Sequence, residues 1–387
     1  MTMDAKRIYL DNAATTSVRP EVLADMLPWF TEDFGNASSV HSFGRKSQRA
    51  VDAARDSIAK SIGANANEIY FTSGGTEADN WAIKGYALKH ADKGKHIITS
   101  SIEHHAVLHT FDVLKKKGFD VTLLPVDSQG IVDPESLRAA LRPDTTLVSV
   151  MMANNEIGTI QPIVELARIA KAAGAAFHTD AVQAMGHIPV NVKDLGVDML
   201  TFSAHKFHGP KGIGALYIRR GVSLTNLIDG GAHERGRRAG TSNHPGIIGM
   251  AKALELAVAE LPEVTPRIEA LRDRLIKGVL QIPNARLNGH PALRLPGNAN
   301  FSFSAMEGEA LVLSLDLAGI AASSGSACSS GSLEPSHVLM ALGIPIGAAH
   351  SSLRLTLDRD NTEEEIDYTI DKTAEIIARL RAMSPLA

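Results

Sequence analysis

Cysteine is almost absent: the chain of 387 residues has one, Cys328. A lone thiol closes no internal disulfide, which excludes a small disulfide-stapled scaffold. Aromatic residues make up 5% of the chain, and no run of 18 apolar residues occurs, so no segment reads as a membrane-spanning helix. There is no block of like charge and no internal repeat. Lysine and arginine number 39 against 43 aspartates and glutamates, and the net charge of −4 offers no basic field for nucleic acid or an anionic membrane. The first residues, MTMDAKRIYLDNAATT, contain no apolar signal-peptide core. The expectation is a cytoplasmic protein that works on small molecules or with protein partners.

What is present is an ordinary globular composition, 44% hydrophobic and 21% charged, in a chain long enough for one large domain and a smaller one. Between about Glu68 and Arg219, short apolar runs (EIYFTS, HIITSS, VTLLPV, TLVSVMMA, AAFHTD, MLTFSAH, GALYIR) alternate with helix-period segments. That alternation predicts an α/β sheet of seven strands, mostly parallel and covered by helices on both faces. The last two runs are separated only by KFHGPKGI, too short for a helical crossover, so the seventh strand should be antiparallel. Beyond residue 246 two helical patterns follow in succession, GIIGMAKALELAVAEL and TPRIEALRDRLIKGVL, then strand-like NANFSFS and SSLRLTL. This reads as a smaller α+β domain reached through a long helix. Its final helix should open with Thr362 and Glu365 in a capping box and bury Ile366, Ile370, Ile377 and Leu380.

Four stretches carry candidate chemistry. SGGTE at 73–77 follows a strand and opens a helix, where glycines admit a close ligand and free N–H groups suit a phosphate; a plain strand-to-helix turn reads equally well. In SIEHHAVLH, His105 and His109 stand four apart, yet no metal-protease motif accompanies them, and a ring at a strand end such as His104 could stack on a planar cofactor. Asp180 closes the strand AAFHTD with Gln183 just beyond, either as a helix cap or as a functional acid. Lys206, in SAHKFHGPKG, follows another strand, where partial desolvation would favour a free amine over the commoner exposed lysine. A lysine, an acid, a phosphate turn and a stackable ring at strand ends of one sheet together describe a pyridoxal 5'-phosphate site.

The runs DNAATT (11–16), SGGTEADN (73–80), EHH (103–105), ANNEIGTIQP (153–162), HTDAVQ (178–183), SAHKFHGPKG (203–212), GGAHERGRRAGTSN (230–243) and SSGSACSSGSLEPSHVL (323–339) resemble the NifS/IscS-type cysteine desulfurases, class V enzymes of pyridoxal-phosphate fold type I. The resemblance spans the whole chain in order. It implies a large cofactor domain over 15–260 and a smaller domain from 1–14 and 261–387, the latter carrying the cysteine loop 323–332. It implies that Lys206 links covalently to the cofactor, Asp180 pairs with the ring nitrogen, Gln183 meets the ring hydroxyl, and Gly75, Thr76, Ser203 and His205 hold the phosphate. His104 would stack on the ring and move protons, Asn155 and Arg354 would bind the substrate carboxylate, and Thr241 would reach the cofactor phosphate of a partner subunit in a homodimer. The implied reaction turns L-cysteine into L-alanine and leaves a persulfide on Cys328, in a loop of small residues suited to carry sulfur to an iron–sulfur scaffold or another acceptor protein. No resident metal is implied, although Cys328 could transiently ligate a cluster shared with a scaffold. His233 stands where some relatives have glutamine. A selenocysteine lyase, a class V aminotransferase, or a sulfur carrier with a vestigial site are the competing readings; a transaminase would have no use for Cys328.

Overall fold

The computed structural model of the protein describes residues 7–304, 306–324 and 335–383. Twelve strands lie within these residues: β1 Ile8–Tyr9, β2 Ile69–Thr72, β3 His96–Ser100, β4 Asp120–Leu124, β5 Thr145–Ser149, β6 Ala176–Asp180, β7 Met199–Ser203, β8 Gly214–Ile218, β9 Arg286–Asn288, β10 Asn298–Ser302, β11 Ile320–Ala321 and β12 Ser352–Thr356. The central sheet runs in the order β2-β8-β7-β6-β5-β3-β4. Pairing is parallel from β7 through β4, while β8 lies antiparallel to both β7 and β2, as the short KFHGPKGI connection required.

Each central strand feeds two apolar layers because successive side chains point to opposite faces. Phe71, Ile98, Val148, Phe177 and Leu200 enter one core, and their neighbours Tyr70, Ile97, Leu147, Ala176 and Met199 enter the other. Both faces are thus buried, which is why these strands read as continuous apolar runs rather than alternating ones.

A separate core gathers Ile8 and Leu10 from the N-terminus with Phe301, Phe303, Leu353, Leu355, Ile366 and Ile377. The final helix, Glu363–Met383, opens with the expected box: the Glu365 N–H donates to Thr362 Oγ1 at 3.3 Å, and the Thr362 N–H donates to Glu365 Oε2 at 3.4 Å. The two helical patterns after residue 246 form one helix, His244–Val279, with Pro262 and Pro266 inside it. Proline removes a backbone donor and weakens a helix interior. Here the segment before them packs Ile247, Met250 and Leu254 into the sheet core, and the segment after packs Ile268, Leu271 and Leu275 into the other. Anchored at both ends, the helix continues across the gap between two cores. Among the described residues no helix is long and apolar enough to cross a membrane.

Phe301 is fully buried in the second core. Phe301→Ala should lower stability by about 3–5 kcal/mol, read as a shift of the denaturant midpoint at unchanged slope.

Candidate active site

The carboxyl ends of the parallel strands open into one cleft of about 980 Å³, bordered by Gly75, Thr76, His104, Asn155, Asp180, Gln183, Ser203, His205, Lys206 and Arg354. Every one of these was a candidate from the sequence. Thr241 is exposed and borders a separate groove with Ser73 and Arg238. Cys328 lies outside the described residues.

On the first side of the cleft, β2 runs into helix Gly75–Lys89, whose N-terminus carries no side-chain cap. Its first amides are therefore available to an anion, and the helix dipole favours one. A Cβ on Gly75 would stand 2.8 Å from Val182 Cγ2, so only glycine leaves this wall in place. Opposite, β7 delivers Ser203, and a single 3-10 turn, Ala204–Lys206, carries His205 and Lys206. The Lys206 Nζ donates to the carbonyls of Ala13 at 2.5 Å and Ala14 at 2.8 Å, while Gln183 Nε2 donates to the same Ala13 carbonyl at 3.0 Å. The DNAATT segment thus supplies the acceptors that hold the amine.

Beneath the cleft lies a buried polar layer. Asp180 accepts the Val182 N–H at 2.8 Å, so it acts as a turn cap and a cleft acid at once. Asp79, one helical turn in from Gly75, is 1% exposed, and its Oδ1 has no hydrogen-bond partner. Burial, and then the charge of Asp180, push the Asp79 pKa well up. Burial also raises Asp180, but the Val182 N–H and Lys206 work against it. The two carboxyls cannot both ionise in such a place, so Asp79 keeps the proton and Asp180 carries the charge. His178 meets Ser149 Oγ at 2.8 Å and Thr201 Oγ1 at 3.1 Å and lies 3.6 Å from Asp79; burial holds its pKa down at about 3, and it stays neutral.

His104 caps helix His105–Lys116: its Nδ1 accepts the Ala106 N–H at 3.1 Å. A ring nitrogen that accepts carries no proton, so the hydrogen of the neutral ring sits on Nε2. Burial, helped by Lys206 and the neighbouring histidines, lowers its pKa to about 4. His205 is likewise lowered to about 4, by burial and then Lys206. His105 lies 5.0 Å from His109 and 4.8 Å from His337, ring to ring, yet no group of three or more histidines, acids or cysteines among the described residues has metal-binding geometry.

Arg354, on β12, is buried. Its Nη1 donates to the Asn155 carbonyl and its Nη2 to Asp11 Oδ1, both at 2.9 Å, while Nε lacks a hydrogen-bond partner. Described residues on either side of 325–334 bond to residues at or next to this cleft. Ser323 exchanges backbone hydrogen bonds with Arg354, at 3.2 and 2.7 Å. Ser336 Oγ donates to Glu156 at 2.5 Å, and the His337 Nε2 donates to the Glu103 carbonyl at 2.9 Å.

Sequence reasoning passed over Asp79 and Asp11, although both stand inside the motifs it quoted. For Asp79 a signal existed: four residues after Gly75 on a helix means the same face, one turn deeper.

An uncapped helix N-terminus, a lysine amine, a buried ionised carboxylate and an orphaned guanidinium N–H fit pyridoxal 5'-phosphate with an amino-acid substrate. Together with the sheet, they define a pyridoxal-phosphate enzyme of fold type I. The family model described as Aminotransferase class-V matches residues 8–369. A cysteine desulfurase IscS from Methanosarcina thermophila is 58% identical over 386 residues, covering 100% of this chain and 96% of the relative. A solved NifS-like protein superposes with a TM-score of 0.92 at 42% identity, covering 97% of this chain and 100% of its own. Another, SspA in complex with cysteine, gives 0.81 at 36% identity, covering 92% and 100%. The chain belongs to the class-V aminotransferase family, among its NifS/IscS-type cysteine desulfurases.

Because His104 is neutral in the folded protein, with its pKa near 4 against an ordinary 6.5, its neutral form contributes stability that is complete above about pH 6.5. That contribution is lost as pH falls through 4. His104→Asn keeps a capping oxygen without the titration, so the stability difference between the two proteins should shift toward the variant on acidification, as measured by urea unfolding from pH 7 to 4.

Proposed function

We propose that this chain takes sulfur from L-cysteine, releases L-alanine and holds the sulfur as a persulfide on Cys328 for an acceptor protein. One observation carries the reading: Lys206, Asp180, His104 and Arg354 come from four separate segments and border a single cleft.

Pyridoxal phosphate, when bound, draws electrons from the substrate Cα and so eases loss of its proton. Gly75, Thr76, Ser203 and His205 would hold the phosphate, Asp180 would receive the ring N–H, Gln183 would hold the ring hydroxyl, and His104 would stack on the ring. Arg354 grips the substrate carboxylate in two-pronged fashion, with Asn155 beside it. The Lys206 amine anchors the cofactor and then takes the proton from the substrate Cα. The Cys328 thiolate attacks the substrate sulfur: an S–S bond forms, the C–S bond breaks with its electron pair left on carbon, and that carbon takes up a proton. His104, with its hydrogen on Nε2, would donate it.

We also propose a homodimer in which Thr241 reaches the partner's phosphate site. Its exposed position outside its own cleft supports this, and exposed Leu27, Phe30, Phe34 and Phe43 supply apolar contact area. The chain would divide into a cofactor domain over 15–260 and a smaller domain from 1–14 and 261–387. An iron–sulfur scaffold or another sulfur-acceptor protein would receive the persulfide.

Incubation of the holoenzyme with L-cysteine and a reductant should give alanine and sulfide in equal amounts, and without the reductant one added sulfur on Cys328 by mass analysis. Cys328→Ala should stay yellow and lose turnover, while in Lys206→Ala borohydride should no longer fix the cofactor to the chain. Full turnover in Cys328→Ala would overturn the reading.

A further inference from the structure

His208 lies two residues beyond Lys206, and both of its ring nitrogens face oxygen. Nδ1 is 2.9 Å from the Ser17 carbonyl, and Nε2 is 3.0 Å from Asp358 Oδ2. A carbonyl has no proton to give. Asp358 is ionised as well: its other oxygen accepts the Arg359 N–H at 2.7 Å, and although burial works against the charge, its bonds to His208 and to that N–H hold its pKa down. A neutral imidazole has one N–H and would leave one of these contacts as acceptor against acceptor. Only the imidazolium makes both.

The backbone fixes the ring in place. His208 has φ 63, in the left-handed region that few non-glycine residues occupy. Its N–H donates to Thr16 Oγ1 at 2.8 Å, and its carbonyl accepts the Arg19 N–H at 3.3 Å. His187 Nε2 donates to the Lys206 carbonyl at 2.9 Å, bracing the same loop.

We propose that His208, as a cation, is a positioning residue: it clamps the loop that carries Lys206 to Asp358, four residues beyond Arg354, and so sets the spacing between the reacting amine and the guanidinium that holds the substrate. The proposal rests on the roles read above for Lys206 and Arg354.

The titratable and charged groups around the ring come from every element packed on it. Asp358, Arg359 and Asp360 follow β12, Arg19 follows the DNAATT segment, His187 follows β6, and Glu260 on the long helix pairs with both Arg19 and Arg359. Burial opposes the charge on His208, but the Asp358 bond, the Ser17 carbonyl and the charges of Asp358 and Asp360 outweigh it and raise its pKa. A raised value means that the clamp is fully present below about pH 6.5. It weakens as pH rises through the folded pKa.

The test uses holoenzyme labelled with nitrogen-15 at histidine, with the His208 signals found by comparison with His208→Asn. Both ring nitrogens should show the protonated shift at pH 7; the pattern of a neutral ring would overturn the clamp, whether or not the chain turns over cysteine. In kinetics the unaltered enzyme should show an alkaline decline in kcat, and His208→Asn should lower kcat roughly tenfold with little change in KM and lose that decline. Asp358→Asn should behave alike. An unchanged kcat and pH profile in His208→Asn would overturn the positioning role, while a parent enzyme with no cysteine turnover would sink the desulfurase reading and leave the nitrogen shifts to decide the charge of His208.

Discussion

Parallel pairing from β7 to β4 is the constraint from which the rest of the molecule follows. A parallel strand cannot return by a tight turn, so each needs a crossover, and the helices of those crossovers cover both faces of the sheet. The carboxyl ends then emerge together at one edge of the sheet. His104, Asn155, Asp180 and Lys206 all follow or end such strands, and one cleft collects them.

Within that edge, the charge on each group is decided by what faces it rather than by its residue type. Three histidines, His104, His178 and His205, are held neutral by burial. A fourth, His208, sits between a carbonyl and a carboxylate and is charged. Asp79 and Asp180 divide one proton for the same reason: buried like charges are costly, and only Asp180 has an N–H donor and a nearby ammonium to support ionisation.

The N-terminal DNAATT segment ties these parts together. Its carbonyls hold Lys206 and Gln183, Asp11 holds Arg354, and the Thr16 N–H and Oγ1 both donate to the His205 carbonyl. Such contacts join residues 170 to 343 positions apart, so no local pattern announces them.

Local order was legible in the sequence because it rests on short-range rules. Strand runs, the glycine turn before helix Gly75–Lys89, the antiparallel seventh strand and the Thr362–Glu365 box each follow from spacing a few residues long. The two helical patterns after residue 246 form one helix, because burial in two separate cores outweighs the local weakening by Pro262 and Pro266. Most of the cleft's residues were also legible, through motifs at strand ends. What the sequence could not decide was their state and company: that Thr241 borders another groove, that Asp79 lies beside Asp180, that Asp11 holds Arg354, and that His208 is a cation. Those are settled by contacts between residues up to 343 positions apart, as between Asp11 and Arg354. Desolvation and hydrogen bonding act across space, and only the tertiary structure decides which groups meet.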